Sequence, residues 1–285
     1  MSTTPYQTRL LETGTTFAME TDGDWTMANY SATGNPDLVF IKTANCETNT
    51  VEVHVASGAS NYQTRILETG TTFAMETDGT WLMADFDHDG IPDLVFIKTA
   101  NCGTKTVEVH VASGSSNYQK RILETGTTFA METDGTWLMA DFDHDGIPDL
   151  VFIKTANCAT NSVEVHVASG ASNYQTRILE TGTTFAMETD GTWLMADYDG
   201  DGKPDLIFIK TANCETNTVE VHIASSSSNY QTRILETGTT FAMETDGTWL
   251  MNDFQRNGTL DLVFLKTANC ATKTVEVHVS PQIPA

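Results

Sequence analysis

The chain alternates short apolar runs with clusters of Gly, Asn, Asp and Ser, and the same order of runs recurs five times. The candidate strands in one copy are Tyr118–Thr125, Trp137–Phe142, Asp149–Lys154 and Val163–Ala168. The third is apolar on both faces, whereas the fourth alternates valine with Glu164 and His166, which is the two-residue period of a half-buried strand. No segment keeps a 3.6-residue period, so the pattern predicts four strands per copy and almost no helix.

The copies follow one another at a fixed spacing, with 56 residues from Tyr6 to Tyr62. They begin at Tyr6, Tyr62, Tyr118, Tyr174 and Tyr230. Five such periods cover residues 6–285 without an insertion. Regular repetition of one supersecondary unit is typical of repeat architectures. The sequence therefore predicts that residues 1–285 form a single domain of five repeats.

The strand pattern within each copy suits a propeller blade, because inner strands are covered by neighbouring blades and the outermost strand meets solvent. The longest connection within a copy is Gly126–Gly135, between its first and second strands. We interpret the first strand of each copy as the outermost strand of the preceding blade. The fold predicted is all-β: a five-bladed β-propeller of four-stranded antiparallel blades.

The two ends of the chain complement each other in this scheme. The chain begins with the strand Tyr6–Thr13 and ends with the strand Val275–Val279. The last blade lacks an outer strand, and the N-terminal strand can join it and remove an exposed edge. An open array of sheets is the alternative, and it would leave edges uncovered.

The loop between the second and third strands carries evenly spaced aspartates in the pattern D-x-D-x-D-G-x-x-D. Carboxylates at alternate positions converge when such a loop curls, the glycine permits the turn, and one backbone carbonyl completes an oxygen cage that suits Ca²⁺. Counted from Asp85, position 12 is Phe96, so the loop is not an EF-hand. The predicted ligands of structural calcium are Asp85, Asp87, Asp89, Ile91, Asp93, Asp141, Asp143, Asp145, Ile147, Asp149, Asp197, Asp199, Asp201, Lys203 and Asp205.

The loops of the first and last copies depart from this pattern. The first has Asn29, Ser31 and Thr33 at the three alternate positions, and the last has Asp253, Gln255 and Asn257. Each loses at least two carboxylates, so calcium binding there is expected to be weak or absent. The alternative is that all five loops are polar hairpins, but carboxylates this close repel one another without a cation.

Composition and charge restrict the partners. The chain has 38 Asp and Glu against 15 Lys and Arg, a balance that repels phosphate backbones and argues against nucleic acid. No apolar run approaches the roughly 20 residues that span a bilayer, so no membrane insertion is expected. The first residues do not resemble a signal peptide, and the cysteines are expected to be free thiols. Both observations predict a cytoplasmic protein, and secretion by a non-classical route is the alternative. The five cysteines are Cys46, Cys102, Cys158, Cys214 and Cys270.

The pattern W…AD-x-D-x-D-G-x-PDLV-x-I resembles the FG-GAP/VCBS repeat family. That resemblance implies a β-propeller with calcium in the hairpins, as in integrin heads. The flanking pattern K-T-A-N-C…T-x-x-VEVHV-x-SG-x-S-x-YQ is similar to repeats of fungal and bacterial secreted proteins and lectin-like propellers. The family usually has seven blades, and the five copies here are a departure.

A ligand is expected on the face opposite the aspartate loops, which carries the long connection and the T-A-N-C loop. Carboxylates, amides and hydroxyls beside an aromatic ring suit sugar hydroxyls and the apolar face of a sugar. The alternative is that each Trp packs in the core and each acid caps a turn. The predicted ligand-binding residues are Glu76, Asp78, Trp81, Asn101, Glu132, Asp134, Trp137, Asn157, Glu188, Asp190, Trp193 and Asn213.

The function predicted is that of a multivalent lectin that binds glycans or glycoproteins. A protein-interaction or adhesion scaffold of the integrin-head type is the alternative, and the sequence leaves open whether the chain oligomerises. An enzyme is not expected, because nearly every candidate group recurs from copy to copy and no nucleophile elbow, phosphate loop or zincin motif is present.

Overall fold

The computed structural model describes residues 4–32 and 34–282, which form twenty strands in five four-stranded antiparallel sheets. Blade one consists of β2 (Gly23–Ala28), β3 (Asp37–Lys42), β4 (Glu52–Ala56) and β5 (Arg65–Gly70). Blade two consists of β6 (Gly79–Ala84), β7 (Asp93–Lys98), β8 (Glu108–Ala112) and β9 (Arg121–Gly126). Blade three consists of β10 (Gly135–Ala140), β11 (Asp149–Lys154), β12 (Glu164–Ala168) and β13 (Arg177–Gly182).

The remaining strands form the last two sheets of the five-bladed β-propeller. Blade four consists of β14 (Gly191–Ala196), β15 (Asp205–Lys210), β16 (Glu220–Ala224) and β17 (Arg233–Gly238). Blade five consists of β18 (Gly247–Asn252), β19 (Asp261–Lys266), β20 (Glu276–Ser280) and β1 (Leu11–Gly14). The helical elements among the described residues are three single 3₁₀ turns, at Gly58–Ser60, Gly114–Ser116 and Ser226–Ser228. The all-β prediction is confirmed.

The N-terminal strand completes the last blade, as the sequence predicts. β1 pairs with β20 in antiparallel register, with Leu11 opposite Val279 and Gly14 opposite Glu276. The backbone N–H of Leu10 also donates to the carbonyl of Val279 at 2.8 Å. Blade five therefore has four strands although its own copy supplies only three.

The first and second predicted strands are each wrong by one to three residues at both ends: the structure has Arg121–Gly126 instead of Tyr118–Thr125, and Gly135–Ala140 instead of Trp137–Phe142. The outer strand of blade two begins at Arg121 and not at Tyr118, because Tyr118 adopts a left-handed backbone with φ 61° and closes the preceding turn. The inner strand begins two residues earlier than predicted, at Gly79 in blade two. A Cβ at Gly79 would lie 2.1 Å from the carbonyl oxygen of Ile97, so this close approach of the two strands requires glycine.

The chain divides into two compact units: unit one comprises Met1–Met19, Ile153–Val165 and Glu180–Ala285, and unit two comprises Glu20–Phe152 and His166–Leu179. In unit two, apolar residues of β3 and β4, among them Ile41 and Val53, pack against Phe73, Trp81 and Phe96 of the next blade. The rings of Trp81 and Phe96 stack at 4.1 Å, and Phe73 meets Trp81 edge-on at 4.9 Å. Aromatic pairs in this geometry add to the stabilisation from burial.

Unit one repeats this packing between blades four and five. Ile209 and Val221 contact Phe241, Trp249 and Phe264, and the rings of Trp249 and Phe264 stack at 4.2 Å. The single-domain prediction for the whole chain stays a prediction.

In blades two to five, an arginine at or just before the outer strand lies over a phenylalanine of the connection that precedes the blade. In unit two the Arg121 guanidinium lies 3.6 Å above the ring of Phe73, and its Nε donates to Thr72 Oγ1 at 2.9 Å. Gln119 Nε2 donates to the carbonyl of Gly70 at 2.6 Å. A guanidinium over an aromatic face is attracted by the ring quadrupole, so the contact stabilises the blade beyond packing alone.

The five cysteines are buried free thiols, which confirms that part of the sequence analysis. Cys102 Sγ donates to the carbonyl of Lys98 at 3.3 Å, and burial raises the pKa of this thiol. A thiol in that state is a poor nucleophile, so the cysteines have a packing role. Across the described residues, no helix has the length and apolar character that spanning a membrane would require.

Candidate functional site

The structure brings aspartates together in the loops of blades two, three and four. In each loop one oxygen from each of three carboxylates lies within 4.8 Å of the other two. The clusters are Asp85, Asp87 and Asp93; Asp141, Asp143 and Asp149; and Asp197, Asp199 and Asp205. Three oxygen ligands from one short loop can hold a metal ion, and hard oxygen donors suit divalent cations such as Ca²⁺.

The last aspartate of each loop is fixed by backbone donors. Asp93 Oδ2 accepts the N–H of Phe86 at 2.8 Å, and Oδ1 accepts the N–H of Gly114 at 2.7 Å. The carboxylate therefore ties the aspartate loop to the turn after β8. Burial raises the pKa of Asp93, and burial raises that of Asp149 to about 6 although backbone N–H groups oppose the shift.

The first aspartate of two loops has a buried oxygen without a hydrogen-bond partner. Asp85 Oδ1 and Asp141 Oδ1 are buried and have no hydrogen-bond partner. A buried carboxylate oxygen without a partner is unfavourable, and a cation among the three carboxylates would satisfy it. In blade four the equivalent oxygen, Asp197 Oδ1, accepts the N–H of Gly200 at 2.9 Å. The donor set therefore fits a metal ion, with the strongest indication in blades two and three.

The third aspartate of each loop accepts a hydrogen bond within its turn, and its role as a calcium ligand stays a prediction. Its Oδ1 accepts the backbone N–H two residues later, from Ile91 at 2.9 Å, Ile147 at 2.8 Å and Lys203 at 2.8 Å. This bond closes the turn and holds the carboxylate outside the three-oxygen cluster. The carbonyl ligands proposed from the sequence at the same three positions stay a prediction. The third aspartates are Asp89, Asp145 and Asp201.

The end loops use neutral donors where the middle loops place carboxylates. In blade one Asp37 accepts the N–H of Ser31 at 2.6 Å and its hydroxyl at 3.1 Å. In blade five Gln255 stands where the middle loops have their second aspartate, and it donates its backbone N–H to Asp261 Oδ2 at 3.3 Å and its Nε2 to Asp261 Oδ1 at 3.4 Å. Thr33, at the third position of the first loop, lies outside the described residues.

On the opposite face, the structure brings three of the predicted residues of blade two together around a lysine that the sequence analysis missed. Lys98 Nζ forms an ion pair with Glu76 and lies 3.5 Å from Asp78 Oδ2. Asn101 Nδ2 donates to the same Asp78 oxygen at 3.0 Å. The hydrogen bond that Lys98 donates to Glu76 raises the pKa of Lys98, so the lysine stays charged.

Blade four repeats this arrangement and blade three provides the same residues. Lys210 pairs with Glu188 and lies 3.6 Å from Asp190 Oδ2, and Asn213 Nδ2 donates to Asp190 Oδ2 at 3.0 Å. In blade three, Glu132 and Asp134 lie in the connection before β10, and Asn157 follows β11. The equivalent acids therefore lie in the same connections in all three blades.

The predicted tryptophans lie in the core. Trp81, Trp137 and Trp193 are 5%, 4% and 3% exposed. Each Nε1 donates to a backbone carbonyl in the preceding connection, at 3.1–3.2 Å. Each ring stacks on a phenylalanine of the next strand, as Trp81 does on Phe96. The indole therefore offers no free face to a sugar, and its contribution to any site is to position the connection that carries the acids.

A small cleft in unit two does combine predicted residues. It has a volume of about 350 Å³ and is lined by the connection before β2, by Gly23 and Asp24 of β2, and by Glu76, Thr77 and Trp81. Asp24 is particular to the first copy, because the other four copies have threonine at this position. The cleft is thus one place where the repeats differ in a charged group.

The larger grooves lie on the outer strands of blades one and four and were not predicted. Their volumes are about 550 Å³ and 380 Å³. The blade-one groove is lined by Glu20, Lys42, Glu47, Thr48, Glu52, His54, Arg65, Glu68, Thr69 and Gly70. The blade-four groove is lined by Glu188, Lys210, Glu215, Thr216, Glu220, His222, Arg233, Glu236, Thr237 and Gly238. Glu188 is the predicted residue that enters this set.

A histidine between two glutamates organises each groove. In blade one His54 Nε2 lies 3.1 Å from Glu52 Oε2, and Nδ1 lies 3.0 Å from Glu68 Oε1. Glu52 Oε1 accepts the N–H of Thr48 at 2.8 Å and its hydroxyl at 2.9 Å. Burial acts to raise the pKa of Glu52, but the Thr48 and His54 hydrogen bonds outweigh it and lower the pKa. Glu52 therefore stays ionised and fixed in position.

The grooves were missed because they depend on strand pairing. The register places Glu52 opposite Gly70 and His54 opposite Glu68, so side chains from two strands share one face. The E-x-H of β4 and the R-x-x-E of β5 were each visible in the sequence. The site could have been predicted by pairing these two motifs as antiparallel neighbours, with the glycine at the end of β5 opposite the glutamate of β4.

Comparison with known proteins supports the repeat family and the fold. Residues 141–208 match the model of the FG-GAP-like repeat, which confirms the resemblance over this part of the chain. No curated protein matches the chain. An endo-arabinase from Bacteroides thetaiotaomicron VPI-5482 is similar in structure, with a TM-score of 0.57, 13% identity, and coverage of 96% of this chain and 98% of that one. BBS1N in complex with ARL6DN gives a TM-score of 0.42 at 10% identity over 97% and 83% of the chains, too low to infer a shared fold.

The similarity to an endo-arabinase contradicts the prediction that the chain is not an enzyme. An enzyme shares this fold over nearly the whole length, so repetition of the blades is no argument against catalysis. The physical reason is that loops can differ while strands repeat. The present chain shows this at Asp24, where the other four copies have threonine, and at Glu47 and Glu215, where the other three copies have glycine or alanine.

Proposed function

We propose that the chain is a multivalent carbohydrate-binding protein, a lectin in the sense that it offers several sugar sites, with glycans or glycoproteins as partners. The observation that carries the proposal is the pair of equivalent polar grooves in blades one and four. The proposed calcium ions in the loops of blades two to four have a structural role, in which they tie each hairpin and offset part of the net charge of −23.

The chemistry of the grooves suits sugar hydroxyls. A hydroxyl both donates and accepts, so one hydroxyl can bridge a carboxylate and a cationic group. The blade-one groove offers such pairs: Glu20 beside Lys42 at 2.7 Å, and Glu68 beside Arg65 at 3.4 Å. The hydroxyls of Thr48 and Thr69 line the same space. Volumes of 380–550 Å³ lie within the range of small-ligand pockets.

Fixed polar groups favour selectivity for a hydroxylated ligand. The Glu52, His54 and Glu68 side chains hold one another in place, so little conformational entropy is lost when a ligand binds. The structural similarity to an endo-arabinase adds a relative of the same fold whose name links it to a carbohydrate. Equivalent grooves in two blades would raise avidity for a branched or polymeric glycan without any new contact.

A glycan array, probed with and without a calcium chelator, tests the proposal. The test variant carries Glu52→Gln and Glu220→Gln, which keep the shape of both grooves but remove one charge from each. The control variant carries Asp253→Asn in the loop of blade five. We expect the double variant to lose at least tenfold in apparent affinity for a polyvalent glycan and the control to bind like the unmodified protein.

Two results would overturn the proposal. Failure of every glycan to bind, together with capture of a protein partner, would favour an adhesion scaffold. Release of reducing ends from arabinan or another polysaccharide on the array would show that the protein catalyses hydrolysis, in the grooves or in the small cleft beside β2.

A further inference from the structure

The five T-A-N-C loops differ in charge although the strands around them are nearly identical. After the cysteine, blades one and four have Glu47 and Glu215, whereas the other blades have Gly103, Ala159 and Ala271. Two residues later, blades two and five have Lys105 and Lys273, whereas the other blades have asparagine. The loop is therefore negative in blades one and four, positive in blades two and five, and neutral in blade three.

The two negative loops belong to the two grooves described above. Glu47 lines the groove of blade one, and Glu215 lines the groove of blade four. Both side chains are exposed, and each lies beside the threonine that fixes the buried glutamate. The extra carboxylate is thus placed at the opening of a formed groove.

The other charged groups of the blade-one groove have partners. Lys42 pairs with Glu20 at 2.7 Å, and Arg65 pairs with Glu68 at 3.4 Å. Glu52 receives hydrogen bonds from Thr48 and His54.

Among the described residues, Glu47 makes no hydrogen bond or ion pair, and neither does Glu215 in blade four, where Lys210 pairs with Glu188 and Arg233 with Glu236. Each groove therefore has one carboxylate that has no partner among the described residues and is available to a ligand.

We infer that the grooves of blades one and four select sugars that carry a free, protonated amino group; this inference rests on the proposed carbohydrate-binding function. An ammonium group donates three hydrogen bonds and pairs with a carboxylate that has no partner in the protein. N-acetylation of the ligand removes that charge. Lys105 and Lys273 would repel the same ammonium, so blades two and five lack this selectivity.

The preferred ligand is therefore a hexosamine oligosaccharide with free amines. The expected preference over the N-acetylated form is about 1.5- to fivefold in Kd, because Glu47 is exposed and an exposed ion pair is partly screened by solvent. The preference should weaken as ionic strength rises. Two grooves per chain should show it.

The test compares a fully deacetylated chitosan tetramer with the fully N-acetylated tetramer by isothermal titration calorimetry at pH 6. The variant E47Q/E215Q should lose the preference for the amine and keep its affinity for the N-acetylated form. The variant E12Q/D253N is the control, since it removes two carboxylates that line neither groove. Non-specific attraction to the acidic protein would decrease equally in both variants.

A gain of function provides the second arm. The double substitution G103E/K105N gives the loop of blade two the same residues as the loops of blades one and four. A Cβ at Gly103 would have Glu108 Oε1 as its nearest neighbour, at 3.6 Å, and the residue is not among those with positive φ, so a side chain fits. We expect the number of amine-selective sites per chain to rise from two to three.

The outcomes separate the two levels of the proposal. Binding of neither tetramer counts against carbohydrate binding for this class of sugar and leaves no basis for the amine inference. Equal affinity for the two tetramers, or a preference that E47Q/E215Q retains, would overturn the amine inference and leave carbohydrate binding intact. A preference lost in E47Q/E215Q and a third site gained in G103E/K105N would support both.

Discussion

The aspartate clusters should make the stabilising effect of one substitution largely disappear when calcium is added. Asp85→Asn removes one of three charges whose oxygens lie within 4.8 Å of one another. Asp253→Asn in blade five is the matched control, because Asp253 belongs to no such cluster. Asp85 Oδ2 accepts the N–H of Gly90 at 3.1 Å, and Asp253 Oδ2 accepts that of Gly258 at 3.0 Å. An amide oxygen can keep this bond in both variants.

The magnitude follows from Coulomb's law. Two unit charges 4.8 Å apart repel by about 0.9 kcal/mol in bulk water and about 3.5 kcal/mol at an effective dielectric constant of 20. Asp87 is exposed, so its repulsion lies near the lower figure. Without calcium, Asp85→Asn should raise the free energy of unfolding by about 1–2 kcal/mol.

With calcium the variant has lost a charged ligand. If its Kd rises tenfold, the stabilisation at a concentration of 100 times the original Kd falls from about 2.7 to about 1.4 kcal/mol. Calcium binding to this loop should then raise the free energy of unfolding of Asp85→Asn by about half as much as it does in the unmodified protein. Asp253→Asn should keep the full gain.

Urea unfolding followed by tryptophan fluorescence, in chelator and in millimolar calcium, measures these quantities. Magnesium in place of calcium tests the identity of the ion, since it demands a stricter octahedral geometry. The reasoning would be refuted by a urea unfolding curve that calcium does not shift, by equal calcium responses of the two variants, or by a loss of stability of Asp85→Asn in chelator.

Three further predictions concern stability. Hydrogen bonds from Thr104 and His110 outweigh burial and lower the pKa of Glu108, so the stability that Glu108 contributes is present above its unfolded pKa near 4.3 and is lost as pH falls through the folded pKa. Glu108→Gln should therefore cost about 1 kcal/mol in urea unfolding at pH 7 and less at pH 3, and equal costs at the two pH values would contradict this. Phe73→Ala should cost about 3–5 kcal/mol in chemical denaturation and Phe73→Leu clearly less, and a nearly neutral alanine variant would show that the ring contacts are dispensable. Lys105→Asn should raise the melting temperature slightly, with a gain of about 0.5 kcal/mol, because φ is 66° and asparagine tolerates this region better; a lower melting temperature would argue against backbone strain.

The strands and their order were predictable because burial in a sheet leaves a two-residue period. The third strand of each copy is the clearest case: Asp149–Lys154 matches the prediction at both ends, and its five residues from Asp149 to Ile153 are buried. Repetition supplied the blade count, and the order of strands within each copy showed that the last blade needed Leu11–Gly14. Local pattern and topology agreed at each of these points.

The candidate sites were less predictable because side-chain partners come from tertiary contacts. The aspartate motif identified the loops in which three carboxylates converge, but it did not show that Asp89 would close the turn through the Ile91 N–H. Trp81 could be read as core or as a sugar platform until Phe96 was found against its ring. The grooves require the pairing of Glu52 and His54 with the next strand, which no single segment of sequence reveals.

The pairing of β1 with β20 has a consequence for how such a chain can change its copy number. Each 56-residue copy begins with the outer strand of one blade and ends with the third strand of the next. Recombination between two copies in phase would therefore delete or add a whole copy and leave both chain ends complementary. The same interchangeability predicts that circular permutants opened before Tyr62 or Tyr118 would still complete their last blade. The outer strands are nearly identical in sequence, so each of them could serve as the strand that completes the last blade.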